Sequence, residues 1–333
     1  ASIIKEVDGQ IIGTGTWILE EWIHDGHIML KKNPHYFEGE SILSGIKIRI
    51  LPEALPRTAE FLTGYLDIME IPDAEFSLWA EDKKWAPIIK YQEDLNIFYL
   101  GFNCSRPPLN HKHVRQAIHY AIDINSLITN LKNGNAIPAY GPIPPSLMNE
   151  PPIPKYEYNP QKAKELLSQA GFHDGFEIEL WQSQSSNLLN ITEAIQSQLE
   201  KVNIRVKIIR NDWNMYSQAI TQGNADMYYR SWYADYPHAE NFLAPLFEST
   251  ISKKRWTRYA SKQLDLYIDM IQKSSNIEEQ QKYIKLSNDK LAEDVPWVYL
   301  WHSKTAFIHQ PNLKNWQPSL MYNAEKYTRV YKQ

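Results

Sequence analysis

The stretch RSWYADYPHAENFLAPLF, Arg230 to Phe247, brings aromatic rings, a carboxylate, a proline and an imidazole together within seven positions. Three chemistries suit such a cluster: a catalytic acid in a cleft, a metal site, or the wall of a ligand pocket. Asp235 follows a run with strand character and precedes Pro237, so it stands where a strand leaves its sheet. Open α/β sheets bind ligands at that edge. A carboxylate there can hold a cation such as an α-amino group through a charge-assisted hydrogen bond. The same side chain can instead form an Asx-turn or cap a helix over AENFLAPLF. His238, near Asp235 and Glu240, is the metal candidate. No HExxH and no Cys/His pair at zinc spacing accompanies it, and a lone histidine beside two acids is more often a surface residue.

Strand periodicity sorts the rings around Asp235. Tyr229, Ser231, Tyr233 and Asp235 share one face of a regular strand and Trp232 takes the other, unless a bulge or turn near Ala234 intervenes. One ring can then face a pocket while another packs in the core. Trp213 opens a helix directly after the strand-like VKIIRND, with Asp212 placed as its N-cap. Its ring stands over the same sheet edge as Asp235 if the two strands are neighbours. Packing at the helix start is the alternative.

The elements that position these residues read as follows. TWILEEW and HIMLKK alternate about Asp25 and Gly26, a hairpin pattern. GIKIRIL and YLDIMEIP are further strands, and EALPRTAEFLTG is a short helix stopped by Gly64. From NIFYLGFN onward, strands and helices alternate. HVRQAIHYAIDINSLI reads as a helix, with Val114, Ala117, Ile118 and Ala121 at helical spacing. The proline-rich AIPAYGPIPPSLMNEPPIP reads as an extended surface segment, fixed by Pro142, Pro144 and Pro145. Asn159 caps a helix with Pro160 at its first position and Gly171 past its end. FEIELWQ, NITEAIQSQLEKVN, IRVKIIRND, NMYSQAITQG and DMYYRSWYA continue the alternation, and two helices and the strand PWVYLWH follow. The expected partition is a β-rich part over 1–97, an α/β domain over 98–300 and a returning tail over 301–333.

Composition narrows the function. The 333 residues are 43% hydrophobic and 22% charged with net charge −4, ordinary for a globular chain and without a basic run to suggest nucleic acid. No apolar stretch approaches the roughly 20 residues needed to span a bilayer. The one cysteine, Cys104, cannot form an internal disulfide and reads as a small half-buried side chain. Eleven Trp and twenty Tyr exceed what a core of this size requires, as at binding surfaces. No GxSxG elbow, P-loop or dinucleotide fingerprint occurs. The residues call for no cofactor and give no positive sign of an enzyme; a hydrolase using the same cleft is the rival class.

Several stretches together resemble one family, the solute-binding proteins of peptide and nickel ABC importers (family 5). GTGTWILEEW…IMLKKNPHYFEGE is similar to its GTGPF-x-L-x-x-W…NPxYW signature. FLTGYLDIMEIP and YLGFNCSRPPLNHKHVRQAIHYAIDINSLI resemble its following blocks. GPIPPSL, YNPQKAKELLSQAGF, IQSQLEKVNIRVKI, SWYADYPHAENFLAPLF and PWVYLWH then appear in family order. The resemblance implies an α/β fold of the type II periplasmic-binding kind, large oligopeptide class: two lobes with a hinge, the first β-rich and the second α/β. It also implies that an N-terminal part, with its secretion signal or lipid anchor, is missing. It implies capture of short peptides for an ABC permease at the outer face of the cytoplasmic membrane, by a monomer with no role for nucleic acid. Asp235 would pair with the ligand's α-amino group, Trp213 and Trp232 would line the pocket, and Tyr233, Tyr229 and Ala234 would complete the ligand-facing set. Thr16 and FNCSRPPL depart from the family pattern. His238 in DYPH is similar in type to the YDPH histidine of the nickel-chelate branch, and the tryptophan excess would suit an oligosaccharide branch, so both ligands stand as alternatives.

Overall fold

The computed structural model describes residues 4–7, 10–184, 186–252, 256–321 and 326–333. Its chain divides into two compact units, residues 1–92 with 305–333, and residues 93–304.

In the first unit, β1 (Ile4–Val7) and β2 (Gln10–Gly13) pair antiparallel, and β3 (Trp17–Ile23), β4 (His27–Lys32) and β5 (Gly45–Arg49) form an antiparallel meander. Asp25, at φ +57°, makes the β3–β4 turn with Gly26. Helix α1 (Ala54–Leu62) ends before Gly64, whose φ of +79° favours a residue without Cβ. β6 (Ile68–Glu70), α2 (Phe76–Glu81) and β7 (Lys90–Glu93) follow. A small core forms where the rings of Phe61, Trp79 and Trp85 meet at centroid distances of 5.3–5.8 Å.

The second unit holds β8 (Asn96–Phe102), α3 (Lys112–Ala121), α4 (Ile124–Leu131), β9 (Ala136–Pro138), α5 (Pro160–Gln169), β10 (Phe176–Ser183), α6 (Ser186–Glu200), β11 (Ile204–Asn211), α7 (Trp213–Gln222) and β12 (Met227–Tyr233). Two single-turn helices, α8 (Ala244–Phe247) and α9 (Ser249–Ser252), lead to α10 (Lys262–Lys273), α11 (Ile277–Asp294) and the long strand β13 (Trp297–His309). β14 (Leu313–Lys314) and β15 (Tyr331–Lys332) pair in the tail. The sheet order is β11-β10-β12-β8-β13; β11, β10 and β12 run parallel, and β8 is antiparallel to both its neighbours.

The two faces of this sheet are packed differently. Leu100, Phe102, Met227, Tyr229, Val298 and Leu300 belong to a large apolar core with residues of α3 to α6. On the opposite face Tyr99, Tyr228, Trp297 and Tyr299 form a fully buried aromatic layer, with Tyr99 and Trp297 stacked at 3.4 Å. Much of the aromatic surplus is therefore core. Gly101 sits under that layer, and a Cβ there would lie 2.3 Å from the Tyr228 ring. Arg115 is buried, and its guanidinium donates to the carbonyls of Leu109 (2.8 Å), Asp294 (2.7 Å) and Val295 (2.9 Å). A cation at the C-terminus of α11 satisfies carbonyls that the helix leaves open.

Caps at Asn159 (Oδ1 accepting from Lys162 N, 2.9 Å) and Asp212 stand where the sequence places them, as does Gly223 at φ +81°. Three readings change. The helix over HVRQAIHYAIDINSLI is two, because Asp123 caps a new start by accepting from Ser126 N at 2.9 Å. The proline-rich segment is not all surface: β9 pairs with β13, and Ala139 and residues 141–144 are buried, Gly141 lying where a Cβ would meet Asn288. The strand begun by PWVYLWH runs on to His309, where it pairs with β6.

Candidate functional site

The parallel strands β10, β11 and β12 end at one edge of the sheet; Trp213 and Asp235 lie beyond the ends of β11 and β12, Trp232 lies near the end of β12, and Arg230 at its middle is level with the ends of β10 and β11. β11 and β12 are not neighbours, since β10 runs between them. Trp213 nevertheless reaches across: its ring lies 5.3 Å from the guanidinium carbon of Arg230 on β12. Trp256 lies against the same guanidinium at 4.3 Å and tilts against Trp232 at 6.0 Å. Tryptophan, arginine, tryptophan and tryptophan thus follow one another along the edge. Trp213 is 57% exposed.

Asn241 ties this row to Asp235. Its Oδ1 accepts from Trp232 Nε1 (3.1 Å) and from the backbone N–H of Asp235 (3.0 Å), and its Nδ2 donates to Asp235 Oδ2 (3.4 Å). Asn241 itself is buried, whereas Asp235 is exposed. A carboxylate facing solvent and held from behind by a buried amide is preorganised to accept from an incoming cation. Asp235 does not cap the helix that follows. His238 takes that place for the 3₁₀ turn Ala239–Phe242, its Nδ1 accepting from Glu240 N at 3.2 Å.

The remaining sequence-selected residues divide between surface and core. Tyr233 is 37% exposed and stands edge-on to Phe98 at 6.1 Å. Tyr229, on the same side of β12, is only 5% exposed and packs against Phe98 in the apolar core. Burial raises its phenol pKa well above the ordinary value. Its carbonyl accepts from the Tyr216 hydroxyl, which fastens α7 to β12. Ala234 is buried, its N–H donating to Leu95 O at 2.9 Å. The sequence reading passed over Arg230, Asn241 and Trp256. Arg230 shares a face of β12 with Trp232, so strand periodicity could have found it; the other two are brought in by tertiary packing. Cys104 is half-buried, and burial pushes its thiol up to about 11.

Two hollows lie elsewhere. One of about 1100 Å³ in the first unit is lined by β5, α1, β6 and the tail. Another of about 320 Å³ in the second unit lies between His119, Tyr156 and Tyr299. Neither includes any residue of the Trp213–Asp235 edge.

Residues 3–254 match the model of the bacterial extracellular solute-binding proteins, family 5 (middle). The chain belongs to this family. It is 27% identical over 323 residues to heme-binding protein A of Haemophilus influenzae, covering 95% of this chain and 59% of that one. It is 28% identical over 324 residues to the glutathione-binding protein GsiB of Salmonella paratyphi A, covering 93% and 62%. The crystal structure of a dipeptide binding protein from Pseudoalteromonas sp. SM9913 in complex with Met-Leu superposes with a TM-score of 0.81 at 27% identity, over 96% of this chain and 64% of that one. The fold is therefore that of type II periplasmic-binding proteins. The chain spans about 60% of the length of the curated relatives it matches.

Proposed function

We propose that the protein captures short peptides outside the cytoplasmic membrane and presents them, as a monomer, to an ABC permease. Binding rather than turnover is its work. The observation that carries this reading is the exposed Asp235 carboxylate fixed by buried Asn241 at the sheet edge. In this reading Asp235 accepts from the peptide's α-ammonium group, and Trp232 and Trp213, on the face opposite Tyr233, supply apolar surface beside it. Membership of a family of solute-binding proteins supports it, as do relatives named for dipeptide and glutathione binding. The Nδ1 of His238 is engaged by a backbone N–H, so that atom gives the metal-chelate alternative no support.

The test is native mass spectrometry of the gently purified chain offered an equimolar mixture of di- to pentapeptides and their N-acetylated forms. Adducts of the free-amine peptides that vanish with Asp235→Asn are the expected result. Equal occupancy by acetylated peptides would overturn the role of Asp235, and adducts of a nickel chelate or a sugar in place of peptides would overturn the ligand class.

A further inference from the structure

We infer that Arg230 is the anion-recognising residue of this site, so that the preferred ligands carry a carboxylate as well as an amine. The inference rests on the peptide reading and narrows it. Arg230 is half-buried, with its Nη1 buried and without a hydrogen-bond partner. Among the described residues no carboxylate pairs with it; the rings of Trp213 and Trp256 lie against its guanidinium, and Tyr99 stands opposite it on β8. Charged groups withdrawn from water are ordinarily paired, so an arginine without a carboxylate among the described residues can take one from a ligand. Cation–π contact engages the faces of a guanidinium and leaves its N–H donors, which lie in the plane, without acceptors. A planar fork held between two rings is suited to bidentate pairing with a carboxylate.

Position agrees with this chemistry. Arg230 and Asp235 belong to one row, joined through Trp256, Trp232 and Asn241, with Trp213 beyond Arg230. Four residues lie between them, so their Cα atoms are at most about 18 Å apart. A peptide bound by its amine at Asp235 therefore needs no more than about five extended residues to place a carboxylate at Arg230. The carboxylate is either the C-terminus of a short peptide or an acidic side chain of a longer one.

The experiment titrates the tryptophan fluorescence of the purified chain with Ala-Ala-Ala, Ala-Ala-Ala-amide, Ala-Glu-Ala-amide and Ala-Gln-Ala-amide, and with glutarate as a non-peptide acid. The wild-type protein is expected to bind at least one acid-bearing peptide roughly tenfold or more tightly than its neutral counterpart, the loss typical of one charged hydrogen bond. Arg230→Gln is expected to bring the pair within twofold, and Arg230→Lys, which keeps charge without the fork, to fall between. Preference for Ala-Ala-Ala over its amide assigns the C-terminus; preference for Glu over Gln assigns the side chain. A preference that survives in both variants, or its absence from the wild type, overturns the assignment while leaving the peptide reading intact. Binding of glutarate that Arg230→Gln abolishes, with no peptide bound, keeps Arg230 and overturns the peptide reading. If nothing binds, both fall.

Discussion

Removing Asn241 tests how the site is held. Asn241→Ala takes the acceptor away from two donors, Trp232 Nε1 and the Asp235 backbone N–H, and the donor away from Asp235 Oδ2. Leaving a buried donor unsatisfied costs about 1–3 kcal/mol. Both donors here belong to residues that reach solvent, so the low end applies to each, and the loss of stability should be about 2 kcal/mol. The effect on ligand is separate. A freed Asp235 must be ordered again by each peptide, at about 0.5–1.5 kcal/mol for one side chain. Affinity should therefore fall about two- to tenfold. Urea unfolding followed by tryptophan fluorescence reads the first effect, and titration calorimetry with Met-Leu reads the second. Asn241→Asp gives a sharper contrast: it sets a second carboxylate where Nδ2 now lies, 3.4 Å from Asp235 Oδ2. It should weaken peptide binding more than alanine does at pH 7, and less as pH falls toward 4. A change below 0.5 kcal/mol in stability, with unaltered affinity in both variants, would refute the claim that Asn241 organises this edge.

Acid should destabilise the second unit before its carboxylates titrate. His119 and His302 are buried, and burial lowers each imidazole to about 4. The unfolded chain takes up these protons near pH 6.5, so stability is full above that value and declines as pH falls from 6.5 toward 4. The decline is about 2 kcal/mol per histidine by pH 5. The urea midpoint should drop accordingly between pH 7 and pH 5, and a midpoint independent of pH over that range would contradict the assignment. Gly101→Ala should cost about 1–3 kcal/mol or more, because the new methyl meets the buried Tyr228 ring at 2.3 Å. Tyr228→Leu in the same chain should recover part of the loss; no recovery would mean that the clash lies elsewhere.

Local rules carried much of the fold. Asn159, Asp212, Gly64 and Gly223 act within one turn of their own position, so their caps and stops were legible without tertiary structure. Reading failed where distant residues decide. Residues 141–144 look like exposed loop by composition, yet they are buried near α11 and β13, a placement that depends on side chains such as Asn288 some 150 positions away. At the candidate site, strand alternation placed Trp232 opposite Tyr229 and Tyr233, the arrangement observed. Alternation could not tell that Tyr229 lies in the core and Tyr233 at the surface, because that depends on what packs beyond Phe98. Asn241 and Trp256 were illegible for the same reason: they reach Asp235 and Arg230 only after the chain has turned back on itself.

The most direct test of the central claim is titration calorimetry of Met-Leu against the chain and against Asp235→Asn, with N-acetyl-Met-Leu as control. If Asp235 holds the peptide amine, both the substitution and the acetylation weaken binding by about 10- to 100-fold, and the two together cost little more than either alone. Additive losses, or an Asp235→Asn protein that binds Met-Leu as the wild type does, would contradict it.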